Sequence, residues 1–209
     1  MDPEHPYPFN ERPDVVRLIP EVQRLLEVGC SRGGFAAALR RIPGRVGELW
    51  GIEPHAGAAE EARKHFDHVI TGLYPDDLPA TEPFDVIVFN DVLEHMVDPW
   101  ATLTFTRRIL IPGGLVVASI PNVRYWEVIW DLIVHGRWTY TETGPLDRTH
   151  VRFFTRSSAC ELLTTSGYEI ERVERGWQLG WGRRLDRRYL ALPSEMRTLQ
   201  YLIVARTPR

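Results

Sequence analysis

The sequence has few cysteines and almost no lysine. Its two cysteines, Cys30 and Cys160, lie far apart in the chain. A disulfide framework or a zinc site needs more cysteines at closer spacing, so we expect neither, and a reduced, cytoplasmic compartment fits best. Lys64 is the only lysine, and every other basic residue is arginine. The formal net charge of -3 provides no overall basic field to hold nucleic acid or an anionic membrane.

Long hydrophobic runs are also absent. No apolar stretch approaches the roughly 18 residues that a membrane helix needs, and the N-terminus lacks the basic start and apolar stretch of a signal peptide. Apolar residues make up 44% and charged residues 25% of the 209 residues, which is typical of a globular protein. This length predicts a single domain spanning residues 1–209 with a sizeable core.

Short apolar runs alternate with helical patterns along most of the chain. Strands are predicted at 25–28, 49–52, 68–71, 84–89 and 115–120, and helices at 34–41, 56–65, 99–110 and 157–165. This alternation predicts an α/β fold with a doubly wound, mostly parallel sheet. Two further strands, 168–175 and 200–205, follow without a clear helix between them, so we expect seven strands with the last one antiparallel. Residues 1–13 are rich in proline and polar groups and predict a loose arm.

The turn after the first strand is the first candidate ligand site. Ligands of open α/β sheets bind outside the carboxyl ends of the strands. Gly29 and Gly33 would let the backbone turn sharply and approach a ligand closely, although a plain strand-to-helix turn would also use them. Glu27 would repel a bound pyrophosphate but attract a ligand that carries an ammonium and a sulfonium. Glu53 lies roughly 20 residues past the glycines, where an acidic residue accepts both ribose hydroxyls, unless it is only a solvated strand end.

Four segments resemble the successive motifs of class I S-adenosylmethionine-dependent methyltransferases in order and spacing. They are 26–34 (LEVGCSRGG), 51–54 (GIEP), 84–95 (FDVIVFNDVLEH) and 110–115 (LIPGGL). The resemblance implies a Rossmann-like methyltransferase fold with S-adenosyl-L-methionine as cofactor. Ser31 departs from the family pattern, since the loop usually has a second glycine there. The cofactor-binding residues that the resemblance implies are Glu27, Gly29, Cys30, Ser31, Gly33, Glu53, Pro54, Leu73, Asn90, Asp91 and His95.

Residues 121–156 are the expected substrate side. Apolar residues at helical spacing predict an amphipathic helix that either packs on the core or forms a lid lined by Tyr125 and Trp126. The segment 146–155 (LDRTHVRFFT) resembles a signature of bacterial methyltransferases that act in polysaccharide, sugar and other small-metabolite pathways. His150, oriented by Asp147, is the candidate general base, and Arg148 is a candidate substrate contact. The alternative is that these residues only pin the loop by hydrogen bonds.

The remaining sequence features narrow the range of metals and binding partners that we expect. No His/Asp/Glu cluster has the spacing of metal ligands, so no metal is predicted. The segment 175–189 interleaves tryptophan with arginine, a pattern that can bind nucleic acid or an anionic group. Because the whole chain is acidic, we favour a solvated connection or a dimer surface there. We therefore expect a small-molecule partner, neither nucleic acid nor membrane, and leave a homodimer open.

The predicted function is methyl transfer to an oxygen of a small metabolite, such as a sugar or a biosynthetic intermediate. An acceptor nitrogen or carbon is an open alternative. A nicotinamide-dependent oxidoreductase is another, although the charge of Glu27 disfavours a dinucleotide. The last is a non-catalytic protein that keeps the fold as a binding module.

Overall fold

The computed structural model describes residues 9–176 and 192–209. Its strands are β1 (Val22–Val28), β2 (Val46–Glu53), β3 (His68–Thr71), β4 (Phe84–Asn90), β5 (Leu110–Pro121), β6 (Glu169–Arg175) and β7 (Gln200–Arg206). Its helices are α1 (Pro13–Val16), α2 (Gly34–Arg40), α3 (Ala56–Ala62), α4 (Pro99–Arg108), α5 (Trp126–His135) and α6 (Arg156–Thr165), with a 3-10 turn at Leu93–His95.

The seven strands form one sheet in the order β3-β2-β1-β4-β5-β7-β6. β1 to β5 run parallel, and β7 lies antiparallel between β5 and β6. The expected mostly parallel, seven-stranded sheet with an antiparallel last strand is therefore confirmed. Strand order reverses beside β1, and Glu27 pairs in register with Gly51 of β2 and Val88 of β4. The carboxyl ends of these three strands consequently meet at one edge, where open sheets bind ligands.

Both faces of the sheet are buried under helices. Side chains alternate between two hydrophobic clusters along each strand, so that Leu25 and Val86 join one cluster while Leu26 and Ile87 join the other. These four residues are fully buried. Apolar runs without a polar alternation are what parallel strands covered on both faces require, and that is why the strand predictions succeeded here.

The C-terminal part begins with a capped helix. Thr155, the N-cap of α6, accepts a hydrogen bond from the backbone N–H of Ser158, whose side chain in turn accepts one from the N–H of Thr155. β6 and β7 then occupy nearly the ranges predicted from the sequence. The predicted tryptophan- and arginine-rich segment falls largely on residues 177–191, outside the described residues.

Two sequence predictions need correction. The predicted helix 99–110 ends at Arg108, because Leu110 already pairs with Phe84 as the first residue of β5. The pairing of β4 with β5 then shifts register before it resumes at Val86, and Gly113 within β5 has φ +75°. The helix prediction ran too far because the apolar residues Ile109 and Leu110 follow Arg108 directly and continue the apolar pattern into the start of β5.

The predicted loose arm is also wrong for its described part. A Cβ on Gly34 would lie 2.6 to 2.7 Å from backbone atoms of Asn10, so the segment packs directly on the start of α2. Arg12 is only 6% exposed. The absence of a side chain at position 34 thus lets the segment reach the sheet edge, while residues 1–8 lie outside the described part.

No helix in the described parts of the chain combines the length and the apolar character needed to cross a membrane.

Candidate functional site

The loop from β1 to α2 forms the floor of the candidate site. Gly29 has φ +69° and Gly33 has φ +83°, conformations that side chains other than glycine adopt at a cost. The N–H of Gly29 donates to the carbonyl of Ile52 over 2.8 Å, which ties the loop to β2. A Cβ at Gly29 would lie 2.7 Å from Cγ2 of Val92, in the segment after β4. The two glycines thus keep the loop close to both neighbouring strand ends.

Glu53 is bound to that loop. Its Oε2 accepts a hydrogen bond from the N–H of Ser31 over 2.9 Å, and its Oε1 accepts one from the N–H of His55 over 3.0 Å. Ser31 has φ +49°, the left-handed conformation for which the family pattern uses glycine. An ionised carboxylate offers about four acceptor positions. Glu53 is therefore oriented by the loop and keeps acceptor capacity for hydroxyl donors.

Glu27 lies beneath the loop and is 3% exposed. Its Oε1 accepts a hydrogen bond from Nδ2 of Asn90 over 2.7 Å. Within the described residues, Oε2 of Glu27 and Oδ1 of Asn90 are buried and have no hydrogen-bond partner. Burial raises the pKa of Glu27 to about 8, against the hydrogen bond from Asn90 and the charge of Arg12, and with the charge of Glu53. Two unpaired acceptors and a buried carboxyl mark a place for a cationic donor.

Three predicted cofactor residues lie at the margin of this edge. The side chain of Cys30 is 2% exposed and packs in the core, so this side chain is not available to a ligand at the loop. A Cβ on Gly51 would lie 2.7 Å from its Sγ. Pro54 is exposed after β2, and Leu73 exposes 60% of its surface after β3. An exposed leucine there offers an apolar surface to a ligand, whereas Cys30 does not.

Asp91 is held by the N-terminal segment, in an arrangement that the sequence did not predict. Its Oδ2 accepts a hydrogen bond from Nη1 of Arg12 over 2.8 Å, and its Oδ1 accepts from Oγ of Ser119 over 2.9 Å and from the amide of Gln200. Arg12 also pairs with Asp14 at 3.1 Å. The arginine lies in the segment predicted to be a loose arm, and no sequence signal linked it to a residue 79 positions away.

The segment 145–152 docks on the 3-10 turn after β4. The N–H groups of Val151 and Arg152 both donate to the carbonyl of Glu94, over 2.9 and 3.0 Å. Nε of Arg152 donates to the carbonyl of Val97 over 3.0 Å. These contacts join two segments that are far apart in sequence, and they bring the His150 side chain to the end of β4.

Glu94, His95 and His150 form a compact cluster there. One ligand-type atom from each lies within 4.8 Å of the others. Nε2 of His150 is 3.9 Å from Oε1 of Glu94, and the two imidazole rings are 4.7 Å apart, edge to face. Glu94 is 1% exposed, and neither of its carboxylate oxygens has a hydrogen-bond partner among the described residues. Burial, and then the neighbouring charge of Asp91, raises the pKa of Glu94 well above its ordinary value.

The ring orientations follow from backbone carbonyls. Nδ1 of His95 is 3.2 Å from the carbonyl oxygen of Thr149, and Nδ1 of His150 is 3.3 Å from that of Pro145. A carbonyl oxygen only accepts, so each Nδ1 carries the proton and each Nε2 of a neutral ring keeps its lone pair. The pKa of His150 is lowered, chiefly because burial disfavours the imidazolium.

The predicted pairing of Asp147 with His150 is wrong. Oδ1 of Asp147 accepts from the N–H and the hydroxyl of Thr149, over 2.8 and 2.6 Å, and the carbonyl of Pro145 orients His150 instead. Burial acts to raise the pKa of Asp147, but the bonds from Thr149 outweigh it and the pKa lies below its ordinary value. Arg148 is exposed and pairs with Glu142 at 2.5 Å.

The predicted helix in 121–156 is present as α5. Tyr125 is buried at 2% exposure just before it, and Val128 is buried in its first turn. Its outer half is apolar but exposed, with Ile133 at 75%. The amphipathic prediction therefore holds for the first turns only, and both Tyr125 and Trp126 belong to the part that packs against the fold.

The functional residues that sequence reasoning missed are Arg12 and Glu94. The signal for Glu94 was its position, since it precedes the candidate residue His95 just after the strand that ends in Asn90. Sequence spacing could not bring these three residues together, because His150 is supplied from a segment more than 50 residues away, through the contacts with the Glu94 carbonyl.

Comparison with known proteins shows which proteins this chain is similar to. Residues 9–173 match the family model described as a methyltransferase domain. A ubiquinone biosynthesis O-methyltransferase of Cereibacter sphaeroides is 36% identical over 154 residues, which cover 70% of this chain and 60% of that protein. A protein of the same description from Ruegeria pomeroyi is 30% identical over 157 residues, with the same coverage. The matched part thus spans about 60% of the length of these relatives.

Solved structures share the fold. An S-adenosylmethionine-dependent methyltransferase from Mesorhizobium loti has a TM-score of 0.65 at 22% identity, over 94% of this chain and 97% of that one. The N-methyltransferase NodS from Bradyrhizobium japonicum, in complex with S-adenosylhomocysteine, has a TM-score of 0.63 at 19% identity, over 97% of this chain and 89% of that one.

Proposed function

The chain belongs to the family of S-adenosylmethionine-dependent methyltransferases, and from that premise we propose that it methylates a hydroxyl oxygen of a small metabolite. The acceptor is a sugar or another biosynthetic intermediate. The observation that carries the proposal is the cluster of Glu94, His95 and His150, in which Glu94 and His150 are buried and His95 is exposed. It lies directly after β4, beside the edge where the cofactor residues meet.

The cofactor supplies an electrophilic methyl group on a sulfonium when it is bound. The residues at the sheet edge fit such a group. Glu27 and Asn90 present two buried, unpaired acceptor oxygens, which suit an ammonium. Glu53 keeps acceptor positions for two ribose hydroxyls, and the loop from Gly29 to Gly33 brings backbone close to the ligand. Every one of these groups is neutral or acidic, so the edge favours a cation over a phosphate.

The acceptor side is formed by the groups after β4. A hydroxyl must lose its proton as its oxygen attacks, so it needs an acceptor or a positive group nearby. Nε2 of His150 lies 3.9 Å from Oε1 of Glu94, and both belong to one cluster. We assign to His150 the orientation of the acceptor hydroxyl or the removal of its proton. Alignment of the two reactants contributes much of the acceleration in either case.

Oxygen is preferred over nitrogen because the matched curated relatives are named O-methyltransferases. Nitrogen methylation remains the second candidate and is an outcome of the experiment.

The test is an acceptor screen with the purified protein. S-adenosylhomocysteine release would be measured with matched sets of three acceptors. Within a set, the same position carries a hydroxyl, an amine or a hydrogen. We expect turnover with the hydroxyl compounds and a product whose new methyl carbon has the NMR shift of a methoxy group. Turnover with amines alone would overturn the proposal.

His150 provides the residue-level check. We expect His150→Gln to lower turnover at least 10-fold while the dissociation constant for S-adenosylhomocysteine stays within about 2-fold, because His150 contacts the acceptor side only. His135→Gln is the matched control, since this histidine is exposed and pairs with Asp131 on α5. Equal turnover of the wild type and His150→Gln would remove His150 from the acceptor site.

A further inference from the structure

We propose that Glu94, His95 and His150 bind one divalent transition-metal ion, through a Glu94 carboxylate oxygen and Nε2 of each histidine. Two imidazoles and one carboxylate are a common protein ligand set for Zn²⁺, Mn²⁺ and Fe²⁺, and they leave positions open for water or substrate. The three side chains lie together although the sequence separates His150 from the other two by more than 50 residues.

The tautomers of both histidines suit this role. Metal-bound histidines nearly always donate the N–H of the other ring nitrogen to a carbonyl or a carboxylate, which fixes the ring. His95 donates from Nδ1 to Thr149, and His150 donates from Nδ1 to Pro145. Both Nε2 lone pairs are therefore free to face a common point. Two independent backbone carbonyls produce this orientation, so it does not depend on the presence of Glu94.

Glu94 is the second observation that points to a cation. It is 1% exposed, and both of its carboxylate oxygens lack a hydrogen-bond partner within the described residues. A buried carboxyl without a partner costs stability unless a positive group compensates it. Arg12 is the nearby buried cation, but its side-chain hydrogen bonds go to Asp14, Asp91, Ser119 and Gln200. A metal ion would satisfy Glu94.

The distances allow an ion after a small contraction. Metal–ligand bonds of about 2.0–2.2 Å place tetrahedral ligand atoms about 3.4 Å apart. Oε1 of Glu94 and Nε2 of His150 are 3.9 Å apart, and the three ligand atoms lie within 4.8 Å of one another. Side-chain movements of about an ångström would bring the three ligand atoms to the distances that a bound ion requires. His95 is exposed, so it borders solvent and provides the path by which an ion enters.

The role of the ion rests on the proposed function. An acceptor hydroxyl that takes an open position on a divalent ion loses its proton more readily, because the ion stabilises the oxyanion. The proton passes to solvent, and the oxygen keeps the electron pair with which it attacks. His150 would then act through the ion and would not itself take the proton. The affinity of the site for metal needs neither cofactor nor acceptor, so it is measured separately.

The experiment is a calorimetric titration of full-length, untagged, chelator-stripped protein with Zn²⁺, Mn²⁺ and Mg²⁺. We expect one site per chain and affinity in the order Zn²⁺ over Mn²⁺ over Mg²⁺, since imidazole ligands disfavour Mg²⁺. Glu94→Gln and His150→Gln should each weaken Zn²⁺ binding by more than the roughly 10- to 100-fold that loss of an outer partner costs. Zn²⁺ should also raise the Tm of the wild type and not that of Glu94→Gln.

His68→Gln is the matched control. His68 lies 2.9 Å from Glu48 in an exposed histidine–glutamate pair outside the cluster. Its loss should leave the titration unchanged. The proposal would be overturned if none of the three ions bound to the wild type. It would also be overturned if Zn²⁺ binding survived in Glu94→Gln or disappeared in His68→Gln.

Turnover separates the metal proposal from the proposed function. Restoration of hydroxyl methylation in chelated enzyme by Zn²⁺ or Mn²⁺ supports both. Methylation that is indifferent to chelation overturns the catalytic role of the ion but leaves O-methylation standing. A metal site in a protein that methylates only amines supports the site and sinks the proposed function.

Discussion

Replacement of Glu27 by glutamine tests whether the buried carboxyl recognises the positive charge of the cofactor. Glu27 is 3% exposed, and burial raises its pKa to about 8. In the cofactor-free protein, therefore, the neutral carboxyl predominates at pH 7. A ligand with an ammonium and a sulfonium favours the ionised form, so binding must release a proton from Glu27. The affinity for S-adenosylmethionine should consequently rise with pH below the pKa of this carboxyl.

The magnitude follows from the pKa. With a pKa of about 8, the ionised fraction of Glu27 rises from about 0.3% at pH 5.5 to about 24% at pH 7.5. If only the ionised form binds, affinity increases about 75-fold over this window, which is about 2.5 kcal/mol. The upper limit of pH 7.5 keeps most of the ligand in its ammonium form, since α-amino groups titrate near pH 7.7–8.0.

The assay is isothermal titration calorimetry in two buffers of different ionisation enthalpy. We expect the wild type to release nearly one proton per S-adenosylmethionine at pH 6.5, and Glu27→Gln to bind with no such release and a flat pH profile. Glu60→Gln, which removes a carboxylate exposed on α3, should behave as the wild type does. A wild-type affinity that is constant from pH 5.5 to 7.5, with no proton release, would refute the reasoning.

The raised pKa of Glu27 also determines the direction in which its contribution to folding stability changes with pH. A carboxyl with a higher pKa in the folded than in the unfolded state stabilises fully below the unfolded pKa near 4.5, and this contribution is lost as pH rises toward about 8. Glu53→Ala should weaken cofactor binding by about 1–3 kcal/mol through lost hydroxyl contacts, as calorimetry would show, and an unchanged dissociation constant would displace the ribose from Glu53. Arg12→Met should lower the free energy of urea unfolding by about 1–3 kcal/mol at pH 8, less than a fully buried pair costs, because the Asp91 side chain is 39% exposed. Asp91→Asn in the same chain should recover part of this loss, and an equal loss in the single and double variants would show that the pair does not hold the N-terminal segment.

Local pattern was sufficient to predict the fold. The strands that lead to the site are continuous apolar runs bounded by glycine or proline, and burial on both faces makes such runs unambiguous. Glu27 and Glu53 could be assigned to the ligand edge because Glu27 is the next-to-last residue of β1 and Glu53 is the last residue of β2, and the alternation had already determined the direction of both strands. Their contacts then follow from the register of β1 with β2 and β4.

Nonlocal contacts account for what the sequence did not predict. Arg12 reaches Asp91 because Gly34 lets a proline-rich segment lie on the sheet edge, and neither residue is informative by itself. Asp147 was expected to orient His150 because the two are three residues apart. Thr149 is closer to Asp147 and satisfies its carboxylate first. Side-chain polarity and spacing define which residues can pair, whereas competition among neighbouring hydrogen-bonding groups decides which pairs form.

The same competition explains why the buried charges at this sheet edge remain incomplete without ligands. Asp91 obtains a cation from the protein, through Arg12, and Glu53 obtains two backbone N–H groups. Among the described residues, neither Glu27 nor Glu94 accepts a hydrogen bond from a cationic side chain, although both are almost fully buried. A fold selected for stability alone would replace such carboxyls with apolar residues at no cost. We therefore attribute their presence to two separate positive ligands, the cofactor at Glu27 and the proposed metal ion at Glu94.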